Sequence, residues 1–147
     1  MSTYRVEIDS SWPVADAFDY MARFSNAAKW DPGVLGAEDL DQGLPRLASV
    51  YRLQIKMLGR PVPLDYRIVE LDRPKRVVLE AQNSMICSRD AIEVTPAGPG
   101  ASKVTYSATL TGRGLAALAS PLLALALRRL GDRAAAGLRA ALSSPLG

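Results

Sequence analysis

The alternation of hydrophobic and polar positions divides the chain into a strand, a short helical stretch, a run of strands and a helical tail. Residues 3–9 set Tyr4, Val6 and Ile8 against Arg5, Glu7 and Asp9, the period of a strand with one buried face. Val14, Ala17, Phe18, Met21 and Ala22 then recur at helical spacing, in a helix ending near Arg23. Ser10 and Ser11 are placed to cap it, and Pro13 suits its first turn. Ser25 is placed to cap a second, one-turn helix that stops at Trp30-Asp31-Pro32, because the residue before a proline is pushed out of helical geometry.

After Pro32 the period is two. Residues 34–40 form a weak strand and 49–57 a better one, with Tyr51, Leu53, Ile55 and Met57 on one face. Leu58-Gly59-Arg60 turns the chain into 62–71, where Leu64, Tyr66 and Ile68 share a face, and Asp72-Arg73-Pro74-Lys75 breaks it. Strands over 77–81, 85–95 and 103–111 follow, separated by Asn83-Ser84 and by Pro96-Ala97-Gly98-Pro99-Gly100.

Residues 112–142, dominated by Ala, Leu and Arg, predict one long helix. Leu123, Leu127, Leu130, Ala134, Leu138 and Ala141 make its buried stripe, with Arg128, Arg129, Asp132, Arg133 and Arg139 opposite. Before Arg128, Leu115, Leu118, Leu122 and Leu125 make it apolar all round. Pro121 either kinks the helix or, with Ser120 as N-cap, starts its main segment. The whole order predicts a single α+β domain over residues 1–147: a curved antiparallel sheet of about seven strands, two short helices, and a long C-terminal helix on the apolar face. A strongly twisted sheet around one helix leaves a space the short helices plug only in part. That space, or a dimer contact, would account for the second apolar face of the tail.

Composition narrows the chemistry. Hydrophobic residues at 48% and charged residues at 22% describe a globular chain able to bury a core. The net charge of +3 is scattered, without the basic block of a nucleic-acid binder. There is no histidine, which removes the commonest general base and most zinc and iron sites, so no metal and no cofactor are expected. The single cysteine, Cys87, reads as a small buried hydrophobe. The opening MSTYRVEIDSSW lacks the apolar core of a signal peptide, and uncharged residues 115–127 are too few to span a bilayer. A cytoplasmic protein without stable membrane insertion, monomeric or homodimeric, is expected.

Three segments carry a resemblance: SSWPVADAFDYMARFSNAAKWDPGV, YRIVELDRPKRVVLEAQ, and IEVTPAGPGASKVTYSATLTGRG leading into the Ala/Leu/Arg helix. With them the chain resembles, nearly end to end, the START-like (SRPBCC) helix-grip superfamily of polyketide cyclases and dehydrases, ring-hydroxylase relatives and lipid-transfer proteins. The resemblance implies a pocket for an apolar ligand between sheet and helix and leaves catalysis open.

The candidate ligand-binding residues follow. Trp30, Tyr51, Tyr66 and Tyr106 can stack on a flat ligand while offering a polar tip, or simply pack the core. Ser88 and Asn83 would hydrogen-bond a ligand carbonyl or else satisfy local backbone groups. Leu115, Leu118, Leu122 and Leu125 would line the ligand space or make a subunit contact, and Met57 and Leu58 would form part of a gate. Asp90 is the candidate catalytic residue: strict alternation puts it on a face with Ile86, Ser88, Ile92 and Val94, where a desolvated carboxylate could move a proton. A bulge or edge position that turns Asp90 to solvent, near Arg89 or Arg67, is the placement the sequence favours. Arg113, Arg128, Arg129, Arg133 and Arg139 would attract an acidic head group, or form a solvated face paired with Asp132, the reading favoured here. Three functions remain in play: a cofactor-free cyclase or dehydratase acting on a polyketide, a lipid carrier or sensor, and an interaction module.

Overall fold

The computed structural model describes residues 1–57 and 59–145, apart from the side chains of residues 116, 118, 119, 120 and 123. Seven antiparallel strands form one sheet: β1 (Ser2–Ser10), β2 (Val34–Asp39), β3 (Val50–Met57), β4 (Arg60–Asp72), β5 (Arg76–Gln82), β6 (Ile86–Pro96) and β7 (Ser102–Gly112). Their order is β1-β7-β6-β5-β4-β3-β2. From β2 to β7 each strand pairs with the next, the product of short connections. The step from β1 at one edge to β2 at the other is made by α1 (Val14–Ala22), a 3-10 turn (Phe24–Asn26) and α2 (Ala27–Trp30). These cross the concave face. After β7 a 3-10 segment (Gly114–Ala119) leads into α3 (Ser120–Ser143), which lies over the same face. This is the helix-grip arrangement.

The buried faces are the alternating ones: Tyr51 and Leu53 in β3, Leu64, Tyr66 and Ile68 in β4, Ile86, Ser88, Asp90, Ile92 and Val94 in β6. In α3 the deepest residues are Ala135, Leu138 and Leu142, so the buried stripe is centred about one position later than expected at its end, while Ala134 and Ala141 are half-buried. Two glycines let α3 come close. A Cβ on Gly137 would lie 1.8 Å from the Trp30 carbonyl oxygen, and one on Gly131 would lie 2.6 Å from the Tyr4 ring. The Tyr4 hydroxyl donates to Asp132 at 2.7 Å, tying β1 to α3.

Several local expectations are corrected. Ser10 ends β1 and its hydroxyl accepts the Trp12 N–H, while α1 begins after Pro13 with no side-chain cap. Ser11 serves the other end of the chain. Its N–H and hydroxyl both donate to the Leu142 carbonyl, and the Trp12 indole N–H donates to the Ser144 carbonyl at 2.6 Å. These bonds satisfy carbonyls that the last turn of α3 leaves without helical partners. Ser25 lies inside the 3-10 turn and caps nothing, and Asn26 stands at the N-cap of α2 without a side-chain bond. α3 starts at Ser120 rather than continuing unbroken from residue 112, so Pro121 falls in its first turn, while the capping role offered to the Ser120 side chain lies outside the described residues. Cys87 is half-buried, because its neighbours Ile86 and Ser88 take the inward face of β6. Asp132 bonds Tyr4 rather than an arginine, and Arg128, Arg129, Arg133 and Arg139 are exposed.

Candidate functional site

The concave face is filled unequally along its length. Phe18 and Met21 of α1 and Phe24 of the 3-10 turn join the core with Tyr51, Leu53, Ile68 and Leu79. Under α3 a cavity of about 150 Å³ remains. Val6, Ile55, Leu64, Ile86 and Leu110 of the sheet, Leu127, Ala134, Ala135 and Leu138 of α3, and the Trp30 ring give it a largely apolar wall. Met57 and the partly exposed Leu130 also line it. A space of that order holds a small aromatic molecule.

Its polar side is a connected set. Tyr66 donates its hydroxyl to Ser88 at 3.0 Å, Ser88 donates to one oxygen of Asp90 at 3.1 Å, and Tyr106 donates to the other. The register explains how four residues from three strands meet. Asp90 pairs with Ala108 and Ile92 with Tyr106, so Tyr106 is the diagonal neighbour of Asp90, and Ser88 sits two residues along the same face. Asp90 is 5% exposed. Burial pushes its carboxyl up to about 6, against the opposing effect of the Tyr106 and Ser88 hydrogen bonds and with a further upward push from Asp31. Burial, reinforced by the Asp90 charge, also holds the Tyr66 and Tyr106 hydroxyls far above their usual range, so both stay protonated donors. The expectation that Asp90 turns to solvent is therefore corrected: β6 runs without a bulge through this stretch, and alternation carries the side chain inward.

Asp31 is the residue the sequence reading overlooked. It appeared there merely as a helix stop, yet it lines the cavity. Pro32 forces it into extended geometry at the C-cap of α2, and one carboxylate oxygen accepts the Gly33 N–H at 2.8 Å. Burial raises its pKa, opposed by that backbone bond. Its position one residue after Trp30, whose ring meets Tyr106 edge-on at 5.7 Å, was the available signal.

Trp30, Tyr66, Tyr106, Ser88, Asp90 and Met57 thus come together around one space. Other candidates lie elsewhere. Tyr51 is fully buried near the opposite end of β3, paired with Tyr66 across the strands and under the influence of Asp39 and Ser49, away from the cavity wall. Asn83 accepts the N–H groups of Met85 and Ile86, holding the β5–β6 turn. Leu115, Leu122 and Leu125 are exposed, at 87%, 71% and 47%, rather than lining the space. The 3-10 segment before α3 and the helical phase of α3 put Leu127, Ala134 and Leu138 against the sheet instead. The side chain of Leu118, and Leu58, lie outside the described residues. No helix among the described residues is long and apolar enough to cross a membrane.

Solved structures share this architecture at low sequence identity. A START superfamily protein from Mycobacterium smegmatis is 12% identical, with 97% of each chain covered and a TM-score of 0.79. The Zhui aromatase/cyclase from Streptomyces sp. R1128 is 12% identical, with 95% of this chain and 92% of that one covered and a TM-score of 0.77. Protein CV1439 from Chromobacterium violaceum is 16% identical, covering 99% and 100%, at a TM-score of 0.70. At such identities the likeness is one of fold. No curated protein matches the chain by sequence. A family profile does, over residues 1–143, and by it the chain belongs to the polyketide cyclase / dehydrase and lipid transport family.

Proposed function

We propose that the domain encloses a small hydrophobic molecule, aromatic or lipid-like, between the sheet and α3. The observation that carries this reading is the space of about 150 Å³ left under a helix that otherwise packs tightly enough to need Gly131 and Gly137. Affinity would come from area: a ligand burying roughly 300 Å² of apolar surface gains several kcal/mol before ordering costs. Titration with an apolar fluorophore tests it. Ala108 lines the cavity, so Ala108→Phe should remain folded by circular dichroism and lose most of the binding. Undiminished binding in that variant would move the site elsewhere.

A catalytic reading rests on Asp90. With its carboxyl near pH 6 it is mainly an acceptor at neutral pH, able to take a proton from a carbon beside a ligand carbonyl and return it, the step an aldol cyclisation or dehydration needs. The family's name and the aromatase/cyclase neighbour fit that chemistry. Turnover of a model poly-β-ketone lost in Asp90→Asn would favour the enzyme; a co-purified lipid seen by native mass spectrometry, with binding unchanged in Asp90→Asn, would favour a carrier. The exposed Leu115, Leu122 and Leu125 support the separate reading of a dimer or partner contact, to be read as loss of self-association in Leu122→Glu.

A further inference from the structure

The polar side of the cavity is made of acceptors. Of the hydroxyls in the wall, Tyr66 donates to Ser88, Ser88 and Tyr106 donate to Asp90, and Tyr4 donates to Asp132. Among the described residues of the wall, the Trp30 indole N–H is the side-chain donor without such an engagement. Two carboxylates, Asp90 and Asp31, face the space, and none of the eighteen lysines and arginines of the chain is among the described residues that line it. A ligand carboxylate would meet two like charges, and a carbonyl would compete for one donor.

We propose that the cavity takes an apolar molecule bearing a protonated amine, its ammonium against Asp90 and Asp31 and its hydrocarbon part under α3. This rests on the ligand-binding reading above and names the class of ligand. A buried carboxylate with neutral partners lacks the countercharge that normally accompanies such a group, and an ammonium supplies it. It brings donors to an acceptor-lined end, where the aromatic Trp30 and Tyr106 also line the space. The titratable groups facing Asp90 are Asp31 beyond α2, Tyr66 of β4 and Tyr106 of β7. The cavity-lining residues of α3 add no charge.

A matched set of ligands tests this. 2-Phenylethylamine, 2-phenylethanol and 3-phenylpropionate share a ring and differ in the polar end, and naphthalene serves as the uncharged control. By calorimetry or NMR near neutral pH, the amine should bind about tenfold or more tighter than the carboxylate, with the alcohol between. Amine binding should weaken as the pH falls through about 6, where Asp90 takes up its proton. Asp90→Asn should erase the preference for amine over alcohol while leaving the alcohol bound, and Asp31→Asn should reduce that preference if Asp90→Asn does not fold. Carboxylate binding as tight as amine binding, or a preference unchanged in the foldable variant, would overturn the proposal. So would binding of naphthalene with none of the three, which leaves the cavity reading standing; failure of naphthalene as well would end both.

Discussion

Asp90 holds a charge where water scarcely reaches, and its measurable consequence is a pH-dependent stability. Its pKa rises from the usual 3.8 to about 6 on folding, so the native chain binds its proton more tightly than the unfolded chain does. From well below the lower value to well above the upper one, stability falls as the pH rises, by roughly 3 kcal/mol for this group alone. Urea unfolding at pH 4 and pH 7 should show the wild type losing about 2 kcal/mol relative to Asp90→Asn, since pH 4 already lies above the unfolded value, and an equal change in both would mean that Asp90 is solvated. Tyr106→Phe removes a hydrogen bond that favours the carboxylate, so the Asp90 titration followed by carboxyl carbon NMR should move further up. Alternation along β6 already put Asp90 beside Ser88 on the inward face. It could not show the partners: Tyr106 reaches it through a register set across strands, and Tyr66 through Ser88, relations that no local window contains. Without partners a buried carboxylate is costly, which is why the sequence favoured solvent.

At the scale of elements, α3 is placed by its small residues and by its last turn. In an exposed helix Gly→Ala gains up to about 1 kcal/mol. At Gly137 the new methyl would meet the Trp30 carbonyl at 1.8 Å, a clash with backbone, so the balance reverses. Gly137→Ala should lower stability by about 1–3 kcal/mol in chemical denaturation. Trp12→Phe keeps an aromatic ring beside Tyr20 but loses the pyrrole part of a buried indole together with its N–H bond to Ser144, for a loss of about 1–3 kcal/mol and faster amide exchange at the end of α3. The strands were legible because period two and Gly/Pro turns are local signals. The role of Ser11 was not, because its hydrogen-bond acceptor is 131 residues away. The helical tail was legible as a helix, but its start was not: the run of leucines in 115–125 looked like a continuous apolar surface, and the 3-10 segment leaves Leu115 and Leu122 in water.

At the scale of the whole molecule, the seven-strand sheet, the two short helices and the closing helix follow from element order and one buried face per strand. The location of the cavity does not follow. It depends on how far α1 and the 3-10 turn reach across the concave face: Phe18, Met21 and Phe24 are built into the core and none of them lines the space, and the part under α3 is left open with Trp30, Tyr66 and Tyr106 around it. The central claim is that this space admits an apolar molecule, and methyl NMR during titration with naphthalene tests it most directly. Shifts concentrated at Met57, Leu64, Ile86, Leu127 and Leu138, with Leu53 and Leu79 unmoved, are the predicted result. Shifts confined to the exposed Leu115, Leu122 and Leu125, or none at all, would contradict it.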